Sequence, residues 1–145
     1  MAQIAQDKDD DLSRIAYEMQ NYQQQGQFMQ QQLSSLQMSI SEIGAALGTL
    51  RNLDKVKDNE VLLPVGAGAH VSARLTDTQN IMINIGSDVI AQKPLAETVE
   101  ILEERLKRLE STRDRLQEAV LEISKKLEEL DSEAKQILAK KGVKQ

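Results

Sequence analysis

The residues best suited to chemistry lie together in Leu-Leu-Pro-Val-Gly-Ala-Gly-Ala-His-Val, residues 62–71. Gly66-x-Gly68 could cradle a phosphate, and His70, the single histidine, could bind a metal or move a proton. Each chemistry has further requirements. A phosphate loop needs a helix N-terminus directly after it, because the helix amides hold the anion. Here an alternating apolar run follows, no Gly-Lys-Ser/Thr appears, and Val71 stands where a dinucleotide fingerprint wants its third glycine. A metal at His70 would have only carboxylates for company, since there is no second His and no Cys. The lack of Cys also excludes thiolate chemistry and fits a reducing compartment. We therefore expect no catalytic residue, no metal site, no cofactor and no enzymatic activity. Gly66 and Gly68 read instead as a place where the chain bends between strands or lets another backbone approach.

The elements around this stretch decide its role. The chain has 145 residues, enough for one domain, with 2% aromatics, no Trp and 28% charged residues. That balance suits long helices better than a loop-rich globule. The net charge of -5 argues against a nucleic-acid partner, which wants a basic stripe. No apolar run is long enough to cross a membrane, and the N-terminus lacks the apolar core of a signal peptide. The reading is a soluble, cytoplasmic protein.

Alternating steps of three and four from Leu12 give Leu12, Ile15, Met19, Tyr22, Gly26, Met29, Leu33, Leu36, Ile40, Ile43, Leu47 and Leu50. Only Gly26 is not apolar. From Leu95 the same steps give Val99, Leu102, Leu106, Leu109, Arg113, Leu116, Val120, Ile123, Leu127, Leu130, Ala134 and Ile137, broken only by Arg113. A 3.5-residue apolar period over this length is the mark of a coiled coil. Each tract covers roughly 40 residues, or about 60 Å of helix. Equal lengths favour an antiparallel hairpin of helices, with parallel self-association of each tract as the alternative. Gly26 is either a flexible joint or a close helix approach, and Arg113 either fixes register or lays its stem along the seam. Outside the seam, a Gln-rich face on the first helix and Glu103–Lys107, Glu104–Arg108 and Glu122–Lys126 pairs on the second read as solvated surface. Asp7, Asp9, Asp10 and Asp11 are expected to precede the first helix, and Lys140, Lys141 and Gly142 to close the second.

Between the helices the period changes to two. Val71, Ala73 and Leu75 alternate with polar residues, Ile81, Ile83 and Ile85 alternate with Met82 and Asn84, and Val89 continues a β-branched run. Turn residues punctuate the segment, so it reads as four short strands in two hairpins. Pro94 suits the first turn of the second helix. The boundaries expected are 12–53 for the first helix, 60–93 for the hairpins and 94–141 for the second helix. A small sheet at the end of a coiled coil cannot be covered by it, and open edges recruit further strands. The hairpins therefore predict oligomerisation through Leu63, Val65, Val71, Leu75, Ile81, Ile83, Ile85 and Val89.

Residues 62–68, then Ala69 to Leu75, then Ile81 to Gly86, placed between two heptad tracts, resemble an archaeal α-type prefoldin subunit from end to end. The resemblance implies a hexamer of two such chains with four prefoldin β subunits, joined by hairpins assembled into β-barrels. It implies an ATP-independent chaperone that binds non-native proteins at coiled-coil tips and passes them to a group II chaperonin. The tip residues expected to meet clients are Leu12, Ile15, Met19, Leu130, Ile137 and Leu138, with Ile4 and Val143 beyond them; the same seam residues can equally be core. The rival reading is a coiled-coil spacer, adaptor or filament-forming relative.

Overall fold

The computed structural model describes residues 2–143, with side chains through residue 140. Its elements in order are α1 (Ala2–Arg51), a 3-10 turn (Leu53–Val56), β1 (Glu60–Gly66), β2 (Ala69–Arg74), β3 (Asn80–Gly86), β4 (Val89–Pro94) and α2 (Leu95–Val143). The fold is mainly α, two long helices joined by two antiparallel β-hairpins. The chain divides into two compact units, one of Met1–Gln37 with Ser111–Gln145, the other Met38–Glu110.

In the first unit α1 and α2 pack antiparallel. Arg14 bridges to Glu133 at 3.2 Å, and a Cβ built on Gly26 would lie 3.5 Å from Ile123 Cγ2. The partner index falls as the first rises, which excludes a parallel pair. Every residue of both heptad lists is buried or half-buried, while most flanking positions are exposed. Ile15, Ile123 and Leu130 are the most deeply buried here. Arg113 takes its place in the seam half-buried, with Nη2 tied to Asp114 at 3.1 Å, so the stem packs and the charge stays outside.

Several sequence expectations are corrected. α1 begins at Ala2, not after the aspartates, so Asp7 to Asp11 lie within the helix and no acid occupies its first turn. Ala2-Gln3-Ile4-Ala5-Gln6 contains no helix breaker, and helix continues through it. α2 runs past Gly142 to Val143, and the side chains of Lys141 and Val143 lie outside the described residues. Pro94 is the last residue of β4 rather than the first of the helix. Glu103 pairs with Arg51 across the helices at 2.7 Å, and Lys126 with Glu129, because partners on the next helix or turn lie closer than those the i,i+4 pattern suggested.

The hairpins lie in the second unit and form two separate two-stranded sheets. They are copies of one design. Each pairs a seven-residue strand with a six-residue strand, and each has a bulge two residues before the turn ends its first strand, at Pro64/Gly66 and at Asn84/Gly86. Each closes through two residues at positive φ, Ala67 (52°) and Gly68 (80°), then Ser87 (50°) and Asp88 (61°). That is what a type I′ turn demands, and its twist matches the strands. Gly66-Ala67-Gly68 is therefore a bulge and a tight turn. Ala67 holds left-handed backbone at a cost of about 1 kcal/mol, which asparagine largely escapes. Ala67→Asn should raise stability by up to about 1 kcal/mol, read as a higher melting temperature and slower amide exchange in residues 60–74.

The link between hairpins is organised by Asp77. Its Oδ1 accepts from the backbone N–H of Gln79 and Asn80 at 2.9 and 3.1 Å, and Oδ2 accepts from Asn80 Nδ2 at 3.0 Å. The Asn80 side chain first, then the two backbone donors, hold the carboxyl below its ordinary range. The turn binds the charged form. Its contribution is therefore complete above the unfolded value of about 3.9 and is lost as pH falls through the lower folded value. NMR should show the Gln79 and Asn80 amide signals titrating together below that pH. Asp77→Asn should abolish this titration; amide signals indifferent to pH in the parent chain would contradict it.

Candidate functional site

No described helix is long and apolar enough to cross a membrane. Among the described residues two regions gather apolar side chains that their surroundings do not cover, while Tyr17, Phe28, Met38 and Leu121 are exposed along the helices. The first is the pair of hairpins. Cross-strand partners share a face, so Val61 with Ala73 and Leu63 with Val71 form one face of hairpin 1. Ile81 with Lys93 and Ile83 with Ala91 form the corresponding face of hairpin 2.

These faces have different fates. Ile83 is only 8% exposed, packed with Leu47 and Leu102 and flanked by Ile43, Leu50, Val99 and Leu106. Arg105 on α2 adds a hydrogen bond, Nη2 donating to the Asn84 carbonyl at 2.6 Å. The helices thus do cover part of the sheet, contrary to the sequence expectation. Hairpin 2 runs directly into α2 at Leu95, whose backbone N–H donates to the Gln79 carbonyl, and this short tether folds it onto the seam. Ile83 is accordingly core of its own chain. In hairpin 1 the corresponding Leu63 stays 47% exposed, beside exposed Val65 and Val71. Ile85 and Val89 at the turn end of hairpin 2 are also exposed, and Leu75 and Ile81 are half-buried. Leu75 lies one residue past β2. The opposite faces add Leu62, Met82 and Ile90, all exposed, which alternation counting passed over.

The second region is the helix ends of the first unit. Ile4 and Leu138 are exposed. Leu12, Met19 and Ile137 are half-buried, whereas Ile15 at 1% and Leu130 at 7% are closed in the seam. Ile15 and Leu130 offer no surface while the helices stay paired. Ion pairs on this surface, Arg14 with Glu18 and Glu133, are well exposed, so water screens them and they hold the helix ends only weakly. His70 is an exposed residue of β2 opposite Pro64.

Paired helices joined by two hairpins, one uncovered and one partly covered, form a recognisable arrangement. A family model described as prefoldin subunit matches residues 22–140. The chain belongs to the prefoldin family. Among curated prefoldin relatives, the chain is 30% identical over 135 residues to prefoldin subunit alpha of Pyrococcus horikoshii, covering 92% of this chain and 91% of that one. It is 34% identical over 139 residues to prefoldin subunit alpha of Methanoculleus marisnigri, covering 91% and 93%. A solved neighbour is the cryo-EM structure of filamentous PFD from Methanocaldococcus jannaschii, with a TM-score of 0.68 and 26% identity, covering 80% of this chain and 97% of that one. Prefoldin membership makes the chain a chaperone-family subunit and gives the exposed parts of the hairpins a context in which chains associate.

Proposed function

We propose that this chain is the α-type subunit of an ATP-independent holding chaperone. Two copies join four β-type subunits through the hairpins, hold non-native proteins at the helix ends, and pass them to a group II chaperonin. The observation that carries this reading is the uncovered apolar face of hairpin 1 in a chain of prefoldin sequence and fold. An exposed two-stranded sheet of Leu63, Val65 and Val71 is unfavourable in water and is stabilised when another subunit covers it.

Client capture asks for apolar groups that are reachable and adaptable. Leu138 and Ile4 meet that condition directly, and Leu12, Met19 and Ile137 meet it in part. Methionine suits the task because its thioether stem repacks against varied shapes. Ile15 and Leu130 join only if the helix pair parts. Weak single contacts become effective when several subunits act together, through raised effective concentration.

The test is light scattering of a chemically unfolded protein diluted into buffer without nucleotide, with the assembled complex present. The intact complex should suppress aggregation, and one lacking residues 1–16 and 134–145 of this chain should lose that effect while staying assembled. Equal suppression by both would remove the helix ends from the client site. A second reading, a filament or spacer built through the same hairpins, draws support from the filamentous neighbour. Concentration-dependent polymers of the purified chain in electron micrographs, with no suppression of aggregation, would favour it.

A further inference from the structure

The seam of the first unit has a gap. Gly26 provides no side chain over Val120, Ile123 and Leu127 of α2, and a groove of about 730 Å³ lies there. Its α1 wall is Gln23, Gln27, Gln30 and Gln31, and Ser124 stands on the α2 side. None of these lining residues is charged, in a chain where 28% of residues are. The pattern extends along α1, since residues 19–41 contain no charge at all.

We propose that this groove binds an extended segment of non-native polypeptide, seating an apolar side chain against half-buried Val120 and Leu127, over the buried Ile123, and its backbone against the glutamine carboxamides. The proposal rests on the chaperone reading and adds a client site away from the helix ends. An unfolded segment brings two things to a surface, apolar side chains and unpaired backbone N–H and C=O groups. Losing water from those backbone groups is costly unless each finds a partner. A carboxamide both donates and accepts, so it pairs with a peptide group in either chain direction and beside any side chain. Walls without charge neither attract nor repel a segment by its sign. A lysine or glutamate lining would select clients; this one does not. A folded helix has already spent its backbone groups and would leave the glutamines without that role, so the occupant is extended chain rather than a third helix.

Gly26 lines the groove, so a side chain placed there intrudes on it, and this gives a test in which binding and stability move oppositely. A photo-crosslinking residue replaces Gln30 in the assembled complex, which is then mixed with a chemically unfolded test protein. Crosslinking to the unfolded form is expected and to its native form is not. Gly26→Leu should cut that crosslinking at least fivefold. The same substitution should raise the melting temperature, since the new Cβ meets Ile123 at ordinary contact distance and a good helix former replaces glycine. Lost capture with gained stability cannot arise from misfolding. Undiminished crosslinking in Gly26→Leu would overturn the proposal, as would crosslinks joining two copies of this chain at position 30. If the complex suppresses aggregation but Gln30 never crosslinks the client, this site falls and the chaperone reading stands. If the complex suppresses nothing, both fall.

Discussion

Replacing Leu63 and Val71 together by aspartate should abolish assembly while leaving the chain folded. The two side chains face each other across β1 and β2 and are 47% and 48% exposed, so the isolated chain gives up little when they become polar. Two aspartates facing each other across the strands repel, at a cost of up to about 1 kcal/mol that falls on hairpin 1 and leaves the helices paired. The assembled state is different. Each side chain, already half covered in the isolated chain, contributes roughly 0.7–1.5 kcal/mol when a neighbour covers the rest, and an unpaired carboxylate in the covered position costs more than that gain. For two side chains the upper figure, about 3 kcal/mol, weakens association about a hundredfold, and the buried carboxylates weaken it further. Light scattering after size-exclusion chromatography with the β-type partner should show separate subunits, while circular dichroism keeps the parent helical signal. A variant that still assembles at parent concentrations would remove hairpin 1 from the interface. Loss of helix in the isolated variant would instead mean that hairpin 1 is core.

The heptad lists were legible residue by residue, and even Gly26 and Arg113 sit in the seam where the count puts them. A period of 3.5 admits one face, so the pattern fixes burial directly. The hairpins were legible for a similar reason, with alternation giving the strands and glycine the turns. What escaped was tertiary. Ile83 and Leu63 occupy equivalent places in two copies of one hairpin, and nothing local distinguishes them; only the tether to α2 makes one core and leaves the other exposed. The start of α1 was misjudged because clustered aspartates fit a helix cap as well as a helix face, and the alanine and glutamine before them permit either. The groove at Gly26 required knowing which residues of α2 lie across from it, which a single heptad list does not state.

The same equivalence supplies the second large effect. Ile83→Ala should destabilise the chain by about 2–4 kcal/mol, and Leu63→Ala, the same kind of truncation at the matching place, by under about 1 kcal/mol. Ile83 is 8% exposed between Leu47 and Leu102, both buried, so truncation leaves a cavity in a site closed by two helices. Relaxation is limited there, because Arg105 pins the Asn84 carbonyl and Leu95 pins Gln79 on either side. Leu63 has no such enclosure, and its truncation gives back only surface that water already reaches. Urea denaturation followed by circular dichroism reads the global cost. Hydrogen exchange separates the local one, with residues 80–94 expected to lose protection in Ile83→Ala while residues 60–74 keep theirs. Equal costs for the two substitutions would mean that the hairpins are equally exposed in solution, and that hairpin 2 also depends on a neighbouring subunit for its cover. A large cost confined to Ile83 makes hairpin 2 the fixed base of the unit, leaving hairpin 1 as the element whose burial depends on assembly.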